Sequence, residues 1–563
     1  VLAQVDALRV AGRTSSFAFR EQNSDLKEIG RKLKVAHILE GSVRSQGQRV
    51  RVTAQLIQVS DGYHLWSQTY DGTLSDIFAV QDDIAQQIVA SLQERLNLEA
   101  KPQLAPITRT KVSAYSLFQE ARELIFSREP DGLRRAITLL DRIIAMDDSY
   151  APAYAARAKA YLLSSDLVPM YGDIPAREAF KAAEEDVTRA LGLDPRLGDA
   201  HAVRGLLNSH RGNHEFALAS LRRALALNPN LVDARNWLAL RLADNGRIRE
   251  AFEELVVLRD IDPLYPPGVQ NALVLAIQLD ATERAIQIAR DFAGRTPDPV
   301  AALEYRGMVD YLDGRPAQAM QRWLQIPVID RDRQLASSMA TVALDLGEDP
   351  ALHGIRQENR MVRASTLALL GRRSEALALA DEALTEAPEQ VYSQFFYVAT
   401  LSAAGAHDRL LEYFNSQFAG DVNAYASALK SYAIDRPESH FGLLARAASA
   451  SGDQALFAAS MQRWRETMDR ARASGAASWA QDLDEARYWA LNGDAARALA
   501  FVESACEKRR ILAFDALTDP AFDPLAIDPR FVALRNANSQ RVNAERKSLG
   551  WAPLPEQVLI EGY

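Results

Sequence analysis

Hydrophobic positions change their period once along this chain. Val50, Val52, Ala54 and Leu56 alternate with Arg49, Arg51, Thr53 and Gln55. A period of two places alternate side chains on opposite faces of a strand. "SQGQ" (Ser45 to Gln48) and "SDGY" (Ser60 to Tyr63) flank the run with hairpin-turn chemistry, glycine supplying the positive φ. Three antiparallel strands are therefore predicted, over about 36–44, 49–59 and 63–70, and "LRVAGRTSSF" (Leu8 to Phe17) predicts one more. Helical spacing brackets them. Leu26, Ile29 and Leu33 give one apolar face over 25–34, and Ile77, Val80, Ile84, Ile88 and Leu92 give another over 75–96. From about residue 111 the spacing is helical throughout, so strands are expected only in the first 75 or so residues.

The helical part is periodic on a longer scale. Pro195, Pro229, Pro263 and Pro297 recur at 34-residue intervals, as do Gly212, Gly246, Asp280 and Gly314. A third ladder is Ala183, Ala217, Ala251, Ala285 and Ala319. Each ladder has a physical role in a pair of helices. Glycine ends the first helix in a left-handed turn, alanine lets the second helix approach closely, and proline stops it. The pattern resembles the tetratricopeptide repeat, with Gly205, Ala239 and Gly307 at that family's small position in the first helix. The family's first-helix aromatic is mostly missing, although Tyr154 and Tyr161 fit an earlier unit. Weaker units follow around Ala364, Gly371, Ala376 and Pro388, then Gly405, Gly452 and Gly493. About ten helical pairs are expected, with register breaks near 334–356 and 425–437. The fold class read from this is mainly α: an α-solenoid of tetratricopeptide-like hairpins behind a small α/β domain.

Length and charge narrow the function classes. At 563 residues the chain exceeds one hydrophobic core. A net charge of −9 argues against a nucleic-acid grip, which needs clustered Lys and Arg. The single cysteine, Cys506, makes no internal disulfide and excludes thiol-based metal sites. No run of 18 apolar residues exists, so no membrane span is expected within the chain. The start "VLAQVDALRV" lacks a basic region and an initiator Met, which suggests a piece of something longer.

Motifs that carry chemistry are absent. There is no Walker loop, dinucleotide fingerprint or nucleophile elbow. "GRTS" (Gly12 to Ser15) reads as a strand end with capping hydroxyls rather than a phosphate turn. His201, His210 and His214 lie close in sequence, but Gly212 separates the last two and no cysteine or paired carboxylate joins them. Trp66 and Tyr70 alternate on one strand and read as core, and Cys506 reads as a packed helix residue. The expectation is a non-enzymatic chain with no cofactor, no metal site and no catalytic residues.

"LRVAGRTSSFAF", "LEGSVRSQGQRVRVTAQLIQVSDGYHLWSQTYDG" and "DIFAVQDDIAQQIV", with "DPAFDPLAIDPRF" near the end, resemble a TolB amino-terminal-like domain preceding tetratricopeptide repeats in bacterial multidomain proteins. The resemblance divides the chain into an α/β domain at 1–100, a linker at 101–112 and a repeat array at 113–333. An irregular break at 334–356, a degenerate array at 357–515 and a C-terminal tail at 516–563 follow. It implies a protein-interaction and sensor region of a membrane-associated protein whose output domain lies upstream. That domain would be a winged-helix regulator or a class III nucleotide cyclase; a free-standing scaffold is the third alternative. It favours the periplasmic side of the inner membrane over the cytoplasm, with membrane contact only through an upstream span.

Stacked hairpins present first-helix residues on an inner surface. The expected inward positions are Asn236, Leu240, Gln270, Val274, Glu304 and Met308, with Trp237 and Tyr305 one residue along. These six carry no Lys or Arg. They suit an apolar protein segment that is neutral or mildly basic, and not nucleic acid or an acidic tail. A homo-oligomer is a further expectation. Trp551, Leu554, Val558 and Ile560 of the tail are candidates to fold back onto the face.

Overall fold

The computed structural model describes residues 10–20, 25–46, 49–73, 77–96, 110–165, 172, 174–328, 333–355, 357, 359–386, 391–431 and 437–554. The chain forms two compact units. One comprises Val1–Leu242, Glu250–Asn271 and Gly294–Asp298; the other comprises Ala243–Arg249, Ala272–Ala293 and Pro299–Tyr563.

The first unit opens with short helices α1 (Arg13–Phe17) and α2 (Leu26–Leu33). Asp25 caps α2 by accepting from the Lys27 backbone N–H at 3.0 Å. Strands β1 (His37–Gln46), β2 (Arg49–Gln58) and β3 (His64–Thr73) then form an antiparallel sheet in that order. Gly62 turns between β2 and β3 with φ +80°, the residue that "SDGY" supplies for this purpose. The alternation read on β2 has its physical counterpart: Val50, Val52, Ala54 and Leu56 are buried, while Arg49 and Arg51 are exposed. Helix α3 (Ile77–Leu96) lies against the sheet. Ile84 and Ile88 meet Leu56, Leu65 and Trp66 there.

The expected strand over Leu8 to Phe17 is corrected. Leu8 and Arg9 lie outside the described residues, Val10 to Gly12 form no strand, and Arg13–Phe17 is helix. The reason is tertiary: the Gly12 N–H donates to the Ile261 carbonyl at 2.7 Å. This stretch is bound to the repeats instead of to a strand edge.

The repeats of this unit begin with three hairpins: α4 (Val112–Ser127) and α5 (Pro130–Met146), α6 (Ala151–Leu163) and α7 (Ala176–Leu193), α8 (Gly198–His210) and α9 (His214–Leu227). Helices α10 (Val232–Asp244) and α11 (Ile248–Ile261) continue this unit; α12 (Pro266–Gln278) is divided between the two units, and α13 (Thr282–Arg295) belongs mostly to the second. Ladder alanines Ala183, Ala217, Ala251, Ala285 and Ala319 have no exposed surface. Gly212, Gly246 and Gly314 adopt φ of 72° to 75°, and Asp280 holds the same left-handed turn at 56°. That costs a non-glycine residue about 1 kcal/mol.

In the second unit, α14 (Pro299–Leu312) and α15 (Pro316–Trp323) pack through Gly307, where an added Cβ would come within 2.1 Å of the Trp323 indole nitrogen. Both expected breaks contain helix among their described residues. Residues 334–356 hold most of α16 (Arg333–Asp345) and a 3-10 turn at Pro350–His353, and Val422–Ser431 is a helix. Hairpins recur at 360–386, 391–418, 437–473 and 479–508. The 516–563 stretch carries a 20-residue helix, Pro529–Ser548. Leu554 is buried in the core with Trp323 and Met339, and Trp551 stacks on His353 at 4.5 Å. Val558 and Ile560 lie outside the described residues. Among the described residues beyond 120, the only strand-type pairing is an isolated bridge, Ser165 to Ile174. The fold is mainly α, tetratricopeptide-like hairpins behind a small α/β domain.

Candidate interaction groove

Within the first unit, the first helices of successive hairpins enclose a cavity of about 790 Å³. Tyr115 and Gln119 on α4, Lys159 on α6, Val203 on α8 and Asp233 and Trp237 on α10 face it. They do so because each is on the inward side of its hairpin's first helix, one repeat apart. Asp199 and Asp233 are equivalent positions 34 residues apart, as are Val203 and Trp237.

A polar cluster is built into the wall. The Asp233 carboxylate accepts from Lys159, from the Tyr265 hydroxyl at 2.6 Å and from Arg128 at 3.4 Å. Arg128 also donates to the Tyr265 oxygen at 3.1 Å. Burial alone would raise the Asp233 pKa, but Lys159 and Arg128 override it and hold the carboxyl down at about 2. Burial, with Asp233 alongside, pushes the Tyr265 phenol well up. Lys159 lies 5.9 Å over the Trp237 ring. Arg128 ends α4 in a left-handed conformation, φ 56°. The cluster is thus ionised, two cations against one carboxylate, with one positive charge in excess.

The chain's own amino-terminal segment closes one side. Asp262, fully buried, accepts from the backbone N–H groups of Ser15 at 2.8 Å and Thr14 at 3.2 Å, and from the Ser15 hydroxyl. The Ser15 oxygen in turn accepts from the Leu264 N–H at 2.8 Å. A Cβ on Gly12 would lie 2.2 Å from the Asp262 carboxyl carbon, so this close approach requires glycine. Burial pushes the Asp262 pKa up, against the pull of the Ser15 and Thr14 hydrogen bonds. "GRTS" therefore clasps the repeats. Arg13 pairs with Glu123 on α4. Phe17 and Phe126, 46% and 43% exposed, stand at the cavity wall.

Of the eight groove candidates read from the sequence, Trp237, one residue along from the expected inward position Asn236, lines this cavity. Asn236 is buried and accepts from Asn271 at 2.8 Å. Leu240 and Gln270 are half-buried, and Val274 is exposed. In the second unit Glu304, Tyr305 and Met308 are half-buried; Tyr305 packs on Phe292 at 4.2 Å, and the Glu304 carbonyl accepts from Trp323 at 2.8 Å. Arg128, Lys159, Asp233 and Tyr265 were not among the sequence candidates. The Asp199–Asp233 pair, on the 34-residue period, is the signal that could have found one of them. No group of three metal-binding side chains occurs among the described residues. The His201 ring bonds the Pro195 carbonyl at 2.9 Å, and His210 is half-buried, its pKa pulled down to about 3 chiefly by desolvation. No described helix is long and apolar enough to cross a membrane.

No protein-family model matches the sequence. Among curated proteins, the putative adenylate cyclase 3 of Rhizobium meliloti (strain 1021) is 30% identical over 218 residues, covering 39% of this chain and 35% of that protein. The chain therefore matches about a third of that relative's length. Among solved structures, YrrB, described as a TPR protein with an unusual peptide-binding site, is 24% identical with a TM-score of 0.22; the match covers 34% of this chain and 91% of that one. PilW, a widely conserved type IV pilus biogenesis factor, is 17% identical with a TM-score of 0.30, covering 41% and 100%. The fold assignment stands on the ladders and the hairpins themselves.

Proposed function

We propose that this chain is a non-enzymatic protein-interaction region and that the cavity of the first unit receives a segment of a partner protein. The supporting observation is the cavity's lining: aromatic walls (Tyr115, Phe126, Trp237) around one fixed polar cluster. A large, mostly apolar hollow with a few placed polar groups is the usual form of a binding site. The lining cations Arg13, Arg122 and Lys159 are set among the carboxyl groups of Glu123, Asp199, Asp233 and Asp262, so the lining offers no strong charge preference. An apolar segment, neutral or mildly basic, fits best.

The likeness to the putative adenylate cyclase favours the nucleotide-cyclase context over the winged-helix one. In this reading the chain is the sensor part of a bacterial, membrane-associated signalling protein. The first 100 residues are its TolB-like domain, and the periplasmic side is its compartment.

The test is a peptide-display selection against the 563-residue chain, followed by calorimetry of the selected peptides on wild type and Gln119→Trp. Gln119 is half-buried at the cavity wall, so the indole fills the hollow without entering the core. Loss of binding with an unchanged circular dichroism spectrum supports the groove. Equal binding by both proteins removes it.

A further inference from the structure

Among the described residues the sheet has three strands, and its two edges differ. β3 presents exposed polar residues, Ser67, Gln68, Thr69, Asp71 and Thr73. β1, the other edge, carries Leu39 and Val43 at 46% and 67% exposure, and every residue from Leu39 to Arg44 is exposed. By register, Leu39 and Val43 share the face of Leu56 and Val52, so they extend the apolar layer into water. An edge strand offers a row of unpaired backbone groups, and native edges are usually blunted by proline, lysine or a bulge. "HILEGSVRSQ" has no proline or lysine, and its pairing with β2 runs without a bulge.

The other face of β1 carries Glu40, Ser42 and Arg44. Arg44 stands opposite Arg51, which is already held by Asp71 at 2.6 and 3.0 Å. Glu40 stands opposite Gln55. Neither charge meets an opposite one directly across its own sheet. The strand is nevertheless complementary to itself. Turned antiparallel on a second copy about Ser42, Glu40 falls opposite Arg44 twice, Ser42 opposite Ser42, and Val43 opposite Gly41. On the apolar face the two valines then meet diagonally across the glycines. Directly opposed unlike charges and diagonal apolar pairs are what stabilise an antiparallel pairing.

We propose that β1 pairs with β1 of a second copy, centred on Ser42, and joins two three-stranded sheets into one of six strands. The contact is isologous, so it closes at a dimer. It does not rest on the groove reading.

Sedimentation of the full chain over a wide concentration range tests it. Wild type should show a concentration-dependent dimer. Arg44→Glu sets Glu opposite Glu at both symmetric sites and should raise the dissociation constant about tenfold or more. Adding Glu40→Arg to Arg44→Glu reverses both charges and should restore wild-type association. Both residues are exposed, so neither change threatens the fold. Register is read separately: in a Cys506→Ser background, Ser42→Cys should give a disulfide-linked dimer under mild oxidation. A chain that sediments as a monomer at every concentration overturns the proposal. So does a dimer indifferent to the single charge reversal, or one that Ser42→Cys fails to cross-link.

Discussion

Gly307→Ala is the sharpest probe of how the hairpins pack. The added methyl carbon would lie 2.1 Å from the Trp323 indole nitrogen and 2.5 Å from its neighbouring ring carbon. Trp323 has no exposed surface and donates to the Glu304 carbonyl at 2.8 Å. The ring cannot swing into solvent, so either α14 and α15 separate or the indole turns and gives up its hydrogen bond. Overpacking of this kind costs about 1–3 kcal/mol. Leaving a buried donor unpaired costs about 1–3 kcal/mol more. Alanine's better helix propensity offsets about 1 kcal/mol. The net is a loss of about 1–5 kcal/mol, or about five-fold to several thousand-fold in the opening equilibrium. A single melting temperature is a poor readout for a chain of two units. Hydrogen exchange of peptides covering α14 and α15 reads local opening directly. Gly294→Ala is the control: it is also helical, has nothing within 4 Å of the place its methyl would take, and should gain up to about 1 kcal/mol. Trp323→Phe removes the clashing nitrogen, and the two substitutions should couple by about 1 kcal/mol or more. Wild-type protection in Gly307→Ala would show that the helices do not meet through this residue.

Two further outcomes follow from the first unit. Ser15→Ala should release the Gly12–Phe17 clasp, seen as new cleavage after Arg13 or Arg20 in limited proteolysis, while exchange in α11 and α12 stays near wild type; protection of Arg13 and Arg20 from the protease would argue against the clasp. The Asp233 carboxyl, held at about 2 against an ordinary 3.8, contributes stability that is present above about pH 4 and lost as pH falls through 2. Asp233→Asn should therefore destabilise this unit near neutral pH by about 2 kcal/mol, read as faster hydrogen exchange in α10, and flatten the acid limb of the pH profile; an unchanged acid limb would mean that Lys159 and Arg128 do not hold this charge.

Residues whose role is set by local geometry were legible in the sequence. The ladder alanines must be small because two helix backbones meet there, and the strand alternation must appear because one sheet face is covered. Trp237 was legible only as a neighbour: the reading put Asn236 and Leu240 inward, and the residue that lines the cavity is Trp237, one position along. Arg128, Lys159 and Tyr265 carry no such mark. Each reaches Asp233 from a different helix or helix end, at separations of 105, 74 and 32 residues, and none falls on the 34-residue period. Arg128 even takes a left-handed turn of the kind that the ladder gives to glycine. The misread strand at Leu8 to Phe17 has the same origin. Its local pattern permits a strand, and a carboxylate 247 residues away decides otherwise.

That carboxylate shows how a repeat acquires a use beyond stacking. Asp194, Asn228, Asp262 and Thr296 occupy one ladder position, immediately before the prolines. Proline forces the preceding residue into an extended conformation, which brings its side chain within reach of the N–H two residues on. Asp194 accepts there from Arg196 at 2.9 Å, Asn228 from Asn230 at 3.1 Å and Thr296 from Asp298 at 3.2 Å. At Asp262 the corresponding N–H belongs to Leu264, and it donates to Ser15 instead. Ser15 has entered the turn, taken the N–H for itself and given its own hydroxyl to Asp262. The freed carboxylate oxygens are then filled by the Ser15 and Thr14 amides. The exchange keeps the turn's N–H bonded and adds bonds at the carboxylate that fasten a distant segment to it. This is why Ser15→Ala is expected to free the clasp and leave the repeat intact: Asp262 needs only to rotate back to the partner that its three counterparts already use.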